Sequence, residues 1–351
     1  MFNSFFGKFS KDIAVDLGTS NTLVYVKDKG IMVNEPSVVA INTRTDQILS
    51  VGEDARRMIG KTPGHILAVR PLRNGIISDF EVAEKMMRYF IEKIHKESFS
   101  LIPRPRIIIG IPLDITEVER KAVEDVAINA GAREVFLIEQ PIAATVGSRL
   151  PIQEPNGNMI VEIGGGKTEI AVISLGGIVT SKSLKIAGEK LDEDISNYVR
   201  EKYNIFLGER SSEKAKINVG TVKTLAKVLK SKIRGRNLLN GLPKEIIIKS
   251  DEVQEAISGS ISVIITAIKD VIEETPPELV SDLYQRGMVL SGGGAMLREL
   301  DKLIYEETKI PVIIADDSLT TVVRGIGIVL EDFDNLKELV LPPTKEESYK
   351  N

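Results

Sequence analysis

Two stretches of the chain repeat one pattern: Ile13-Ala14-Val15-Asp16-Leu17-Gly18-Thr19-Ser20-Asn21-Thr22 and Met159-Ile160-Val161-Glu162-Ile163-Gly164-Gly165-Gly166-Lys167-Thr168. Each is an apolar run, an acid, an aliphatic residue, a glycine with a hydroxyl-bearing turn, and then a second apolar run. The runs are short enough for buried strands, and the glycine turn between them reads as a tight connection. Self-similarity at so long an interval points to two related domains, each offering one hairpin to a shared cleft.

Glycine allows a backbone to approach a ligand closely, and successive N–H groups in such a turn form a nest for phosphate oxygens. The hydroxyls of Thr19, Ser20 and Thr168 and the amide of Asn21 add hydrogen bonds. Asp16 and Glu162, at the ends of their strands, are placed to hold Mg²⁺ through its waters beside those phosphates. A third turn, Ser291-Gly292-Gly293-Gly294-Ala295, follows the apolar strand Met288-Val289-Leu290 and is expected to open a helix. It can approach phosphate, ribose or base. One glycine turn alone is ordinary hairpin chemistry; three, two of them duplicated with their acid, favour a nucleotide site. A dinucleotide fold fits less well. Gly292, Gly294 and Leu297 match its fingerprint only in part, Asp316 stands at roughly the ribose-acid distance, and the chain ends after one βαβ unit. No glycine is followed by Lys-Ser/Thr at P-loop spacing.

The rest of the chain alternates strand and helix periodicity, as in mixed α/β layers. Arg106 to Ile111 reads as a buried strand, and a helix starts at Thr116, where Thr116 and Glu119 form a capping box, and stops at Gly131. The length of 351 residues suggests two domains. Lys+Arg of 46 against Asp+Glu of 50 gives a net charge of −4, which argues against a general nucleic-acid binder. Lys182 to Arg236 holds 14 Lys/Arg against 7 Asp/Glu with few aromatics, and reads as a solvated, largely helical subdomain. The absence of cysteine excludes disulfides, thiolate metal sites and a Cys nucleophile. His65 and His95 have no second ligand at metal spacing and read as structural. No apolar run approaches the ~20 residues of a membrane span, and the N-terminus lacks a signal-peptide core, so a cytoplasmic protein is expected. The polar end, Lys345 to Asn351, reads as frayed.

At these residues the sequence resembles the actin/Hsp70/hexokinase ATPase superfamily and, within it, the MreB family of bacterial actins. The likeness runs from Asp12 to Leu330. It includes the first glycine hairpin, Asn34-Glu35-Pro36-Ser37, Arg70-Pro71-Leu72 with Gly75, Gly131-Ala132-Arg133-Glu134-Val135 and Ile138-Glu139-Gln140-Pro141. Later come Gly208-Glu209-Arg210, Arg234-Gly235-Arg236, Thr275-Pro276-Pro277-Glu278-Leu279 and Leu290-Ser291-Gly292-Gly293-Gly294. The resemblance implies an actin-like α/β fold: two duplicated ribonuclease H-like domains, each with a smaller inserted subdomain, around a nucleotide cleft. The implied subdomains are IA (1–32, 77–147 and 321–351), IB (33–76), IIA (148–181 and 250–320) and IIB (182–249). It implies ATP with Mg²⁺ as the ligand and self-assembly into filaments that control cell shape. By motif, Gly18, Thr19, Ser20 and Asn21 with Gly164, Gly165 and Gly166 hold phosphates. Ser212, Glu213, Lys214, Ala215 and Lys216 lie around ribose and adenine, and Gly292, Gly293, Gly294 and Ala295 close over the nucleoside. Asp16 orients the metal's waters. Ile138 to Gly147 and Arg324 to Gly327 are the implied hinge crossings.

Three positions depart from the family. Gln140 stands where a glutamate usually polarises the attacking water, Glu162 where an aspartate is usual, and Lys167 where a threonine is usual. An amide can still orient water, but it is no base, and a lysine cannot accept a hydrogen bond from water. Lys167 could instead reach the γ-phosphate or pair with Glu139 or Glu162. Altered hydrolysis is therefore expected, with Glu139, Gln140 and Lys167 as the residues in question. Phe2, Phe5, Phe6 and Phe9 beside Lys8 and Lys11 suggest a short amphipathic membrane anchor, and Phe99, Leu101 and Ile102 sit where the family carries an apolar membrane-touching loop. The expected partners are further copies of the chain, the inner face of the membrane, family paralogues and shape-complex membrane proteins, and no nucleic acid. The rival reading is a small-molecule kinase or phosphatase of the same fold, for which Glu139 is the best available base.

Overall fold

The computed structural model describes residues 11–96 and 104–341. Phe2, Phe5, Phe6, Phe9, Phe99, Leu101 and Ile102, and the tail from Lys345, lie outside the described residues. The chain divides into two units, Met1–Gln153 with Thr320–Asn351, and Glu154–Leu319.

The first unit contains β1 (Ile13–Leu17), β2 (Asn21–Val26), β3 (Gly30–Pro36), β4 (Val39–Asn42), β5 (Gln47–Val51), β6 (Ile66–Val69), the short pair β7 (Leu72–Arg73) and β8 (Ile76–Ile77), then β9 (Arg106–Ile111) and β10 (Glu134–Glu139). Its main sheet has the order β10-β9-β1-β2-β3. β1 pairs antiparallel with β2, as the glycine hairpin requires, and parallel with β9, with Val15 beside Ile109. Both faces of β1 and β9 are covered, which is why their residues run almost unbroken apolar. The helix Phe80–His95 buries Met86, Met87, Phe90 and Ile91 in the core beside this sheet; Asp79 caps it by accepting from Val82 N at 3.1 Å. The helix Glu117–Asn129 starts with the expected Thr116–Glu119 capping box. A smaller sheet, β5-β4-β6, is inserted between β3 and β7.

The helices Gln140–Gly147 and Thr321–Glu331 meet at their glycines. A Cβ on Gly147 would stand 2.0 Å from Thr321 O, and one on Gly325 would stand 1.7 Å from Ala143 O. Only glycine permits so close a backbone approach.

The second unit contains β11 (Asn158–Ile163), β12 (Thr168–Ser174), β13 (Gly177–Leu184), β14 (Ile205–Phe206), β15 (Lys230–Asn237), β16 (Pro243–Lys249), β17 (Met288–Ser291) and β18 (Val312–Ile314). Its main sheet has the order β13-β12-β11-β17-β18. Read as β3-β2-β1-β9-β10 and β13-β12-β11-β17-β18, the two sheets are one design. Three antiparallel strands are followed by two parallel ones, and the glycine hairpin sits at the second and third positions. The duplication read from the sequence is thus a duplication of topology.

Two expectations need correction. Lys182 to Arg236 holds the helices Gly188–Tyr203 and Glu209–Val219, but also most of a three-stranded sheet, β14-β15-β16. Its strand Lys-Ser-Lys-Ile-Arg alternates exposed cations with buried Ser231 and Ile233, a period of two hidden by the charge. The glycines after β17 open only a short 3₁₀ turn, Gly293–Met296, and the next α-helix starts at Leu300. Gly292 has φ +78°, and Leu297 returns to extended backbone, so the α ladder cannot propagate through this stretch. Among the described residues no helix is long and apolar enough to cross a membrane.

Candidate functional site

In the first unit the β1–β2 turn is held from several sides. Ser37 Oγ donates to Gly18 O at 2.6 Å and lies 2.9 Å from Thr22 Oγ1, while Ser37 N donates to Ser20 O. Gly75 N donates to Thr19 Oγ1 at 2.7 Å, which joins the turn to the β7–β8 connection. A Cβ on Gly18 would stand 2.6 Å from Asn21 O, so the turn itself demands glycine. The motifs containing Ser37 and Gly75 are therefore buttresses of this turn.

Asp16, one residue before the end of β1, is partly buried, and desolvation pushes its carboxyl up to about 7. Gln140 Nε2 donates to Asp16 Oδ1 at 3.3 Å and opposes that rise. Gln140 opens the helix that follows β10, so the adjacency of β10, β9 and β1 brings the two together. Glu139, the last residue of β10, has its carboxyl raised by burial and lowered by the nearby Arg120 guanidinium.

In the second unit Glu162 lies directly across from Glu169 on β12 and from Ser291 on β17. Lys167 is 7% exposed, at the turn just before β12. Gly164 N donates to Lys167 O, closing the hairpin turn. The carbonyls of Gly164 and Gly165 accept from the N–H groups of Gly188 and Glu189 at 3.1 and 2.8 Å, so this turn caps the helix Gly188–Tyr203.

Ser212, Glu213, Lys214, Ala215 and Lys216 lie on the helix Glu209–Val219. Ala215 packs in the core and Lys214 is exposed. Lys216 Nζ donates to Gly188 O at 2.6 Å and pairs with Asp192 Oδ2 at 3.0 Å. Burial pushes the Asp192 carboxyl up to about 6 against the pull of Lys216, with Glu213 and Glu209 adding to the rise. The third glycine turn packs on the end of β11: a Cβ on Gly292 would stand 2.4 Å from Ile163 O, and one on Gly294 would stand 2.2 Å from Ile163 Cγ2. These two glycines have a packing reason independent of any ligand.

Among the described residues, the buried polar atoms of this unit without a hydrogen-bond partner within the chain include Ser212 Oγ, Ser291 Oγ and Asp192 Oδ1. Two belong to segments singled out from sequence, and the third is on the partner of Lys216. Sequence reading singles out the glycine turns, Asp16, Gln140 and Lys167 as candidates; it does not anticipate the contacts Thr19–Gly75, Ser37–Gly18 or Lys216–Asp192. His95 is buried with Nδ1 2.8 Å from Ile91 O, a structural contact. Among the described residues no cluster of three or more His, Cys, Asp or Glu forms a metal cage.

A family model described as MreB/Mbl protein matches residues 10–338. The chain is 50% identical over 333 residues to the cell shape-determining protein Mbl of Bacillus cereus, covering 95% of this chain and 99% of that one. It is 49% identical over 340 residues to the cell shape-determining protein MreB of Escherichia coli, covering 95% and 97%. Among solved structures, MreB5 of Spiroplasma citri bound to ADP superposes with a TM-score of 0.88 at 36% identity, covering 94% of this chain and 98% of that one. The MamK double helical filament, at 22% identity and a TM-score of 0.78, shares the fold.

Proposed function

The chain belongs to the MreB/Mbl family of actin-like proteins, and from that premise we propose that it binds ATP with Mg²⁺, polymerises into cell-shape filaments at the membrane, and hydrolyses ATP slowly. The observation that carries nucleotide binding is the duplicated glycine hairpin, each copy with an acid two residues before its first glycine. The phosphate contacts fall to Gly18–Asn21 and Gly164–Gly166, and the nucleoside contacts to Ser212–Lys216 and Gly292–Ala295. The residues fit such a ligand: Ser212 and Ser291 keep buried hydroxyls without partners in the chain, as a polar ligand site does. Asp16 fits a divalent cation held through water, because a partly buried carboxylate raised by desolvation and met by an amide donor is under-compensated. Glu162 is the corresponding acid of the second hairpin. The ligand supplies a phosphoanhydride whose charge the bound cation neutralises.

Slow hydrolysis follows from this chain's own side chains. Gln140 is already engaged with Asp16 and is no base, while buried Lys167 cannot accept a hydrogen bond from water. Losing a water-positioning group lowers a rate by ~10²–10⁴. Self-assembly, attachment to the inner membrane face through Phe2, Phe5, Phe6 and Phe9 and through Phe99, Leu101 and Ile102, and contacts with paralogues or shape-complex membrane proteins complete the proposal. So does the four-subdomain division.

The test is phosphate release with high-speed pelleting in ATP, ADP and a non-hydrolysable analogue, on wild type and Lys167→Thr. Pelleting with little phosphate release, and a gain on substitution, supports the reading. Brisk turnover without pelleting removes the filament assignment and favours a small-molecule kinase. Liposome co-sedimentation with and without residues 1–9 tests the anchor, and equal binding removes its role.

A further inference from the structure

Lys216 was expected to touch the nucleoside, yet its ammonium is committed elsewhere. Nζ lies 2.6 Å from Gly188 O and 3.0 Å from Asp192 Oδ2, and both acceptors belong to the helix Gly188–Tyr203. The spacing explains the pairing, because Asp192 is four residues after Gly188 and so lies one turn further along the same helix face. The same Gly188 is bound to the glycine turn: its N–H donates to Gly164 O at 3.1 Å, and the next N–H, of Glu189, donates to Gly165 O at 2.8 Å. A Cβ at Gly188 would stand 3.3 Å from both Gly164 O and Lys216 Nζ, so the peptide fits tightly between them. One continuous chain of polar contacts thus runs Asp192–Lys216–Gly188–Gly164/Gly165, from the helix assigned to the nucleoside to the turn assigned to phosphate.

We propose that Asp192 is a positioning residue: its carboxylate holds Lys216 against the Gly188 carbonyl, and through Gly188 sets the shape of the Gly164–Gly166 turn and hence nucleotide affinity. The last step rests on the reading that this turn binds phosphate; the preceding steps do not. Without the carboxylate, Lys216 keeps only the carbonyl, and its long flexible stem no longer has one preferred geometry.

The titration of Asp192 makes the relay pH-dependent. The charged groups acting on it are Lys216, which favours the carboxylate, and Glu213 and Glu209, which oppose it; burial opposes it most. With the carboxyl pushed up to about 6, the relay is intact at pH 7.5 and is lost as the pH falls through that value. The effect on stability has the opposite sign. A carboxyl raised in the folded state contributes most stability when protonated, and that contribution is lost as pH rises through about 6. At pH 7.5 the fold therefore carries this carboxylate at a cost, and the neutral Asp192→Asn is expected to be at least as stable as wild type. A residue that merely supported the fold would lose stability on the same substitution.

The test has two readouts on the full chain. In the nucleotide-free protein at pH 7.5, amide exchange at Gly188 and Glu189 is expected to lose about ten-fold in protection in Asp192→Asn and in Lys216→Met, as for one charge-assisted hydrogen bond. Binding of ATP with Mg²⁺ is expected to weaken several-fold in wild type from pH 7.5 to 5.5, and to be weak and flat with pH in Asp192→Asn. Unchanged protection of the two amides overturns the relay, whatever the binding result. Changed protection in a wild type that binds no ATP at any pH upholds the relay and removes the phosphate reading instead. If Asp192→Asn fails to fold, the wild type decides alone: protection, corrected for the intrinsic exchange rate, must fall as pH falls through about 6, and a flat profile overturns the proposal.

Discussion

Replacing Gln140 by glutamate changes one atom type in a place where the consequence can be worked out. Gln140 Nε2 donates to Asp16 Oδ1 at 3.3 Å, and Asp16 is partly buried with its carboxyl already pushed up to about 7. Gln140→Glu removes the donor and sets a second carboxylate at that separation. Two unit charges 3.3 Å apart repel by about 5 kcal/mol at an effective dielectric of about 20. The pair escapes the full figure by sharing one proton, so the loss at pH 8 is expected to be on the order of 2–3 kcal/mol. Repulsion exists only when both groups are ionised, so the loss shrinks as the pH falls below about 7. Gln140→Met is the control, because it removes the hydrogen bond without adding charge. Urea unfolding of nucleotide-free protein at pH 8 gives the comparison. The glutamate variant should unfold at lower urea than the methionine variant, and millimolar magnesium should narrow the gap. Equal midpoints for the two variants at pH 8 would mean that the position 140 side chain does not face Asp16, and the account of the departure at Gln140 would fall with it. In the filament assay the same glutamate should raise phosphate release by about 10².

Lys167→Thr should raise the single-turnover rate of phosphate release by one to two orders of magnitude, and with Gln140→Glu the gain should exceed either alone; no gain in either measurement removes Lys167 from the hydrolysis step. Gly325→Ala puts a Cβ 1.7 Å from Ala143 O and should cost about 3 kcal/mol or more in urea unfolding. A wild-type midpoint would mean that the helices Gln140–Gly147 and Thr321–Glu331 are not in that contact. Arg120→Met removes a cation that opposes burial at Glu139, so the Glu139 carboxyl should titrate higher still. Carbon-13 NMR of the side-chain carboxyl reads the shift directly, and an unmoved titration would separate the two residues.

What was legible in the sequence is what is local. The two hairpins announce themselves because strand, acid, glycine and strand are contiguous; Arg106–Ile111 is legible as a buried strand, but its parallel pairing with β1 and the strand order come only from the structure. The helix after Thr116 is legible because both halves of its capping box lie within four residues. The β14-β15-β16 sheet was missed because its central strand alternates Lys and Arg with small or apolar residues, and the charge masked the period. Asp16 and Gln140 were each picked out, but not their contact, since they are 124 residues apart and only the pairing of β1, β9 and β10 joins them. Gly292 and Gly294 were read as approaching a ligand, and sequence cannot tell that from their tight packing on Ile163.

The unsatisfied atoms allow stability and binding to be separated. Ser291 ends β17 beside Glu162 and is completely buried, yet its Oγ has no hydrogen-bond partner in the chain. A hydroxyl in that condition costs the fold about 1–3 kcal/mol, and its removal as Ser291→Ala returns part of the loss while leaving a void no larger than one oxygen. If the hydroxyl is kept for a ligand, the alanine variant should unfold at higher urea, by about 1 kcal/mol, and should bind ATP with Mg²⁺ several-fold more weakly. A fold that retained the serine for its own sake would give the reverse, a less stable protein with unchanged affinity. Asp192 sets up the same opposition by a different route, through a charge held at a cost instead of a hydroxyl. Affinity and stability moving in opposite directions at both positions would mark them as parts of a binding site. The two moving together at either one would return it to the scaffold.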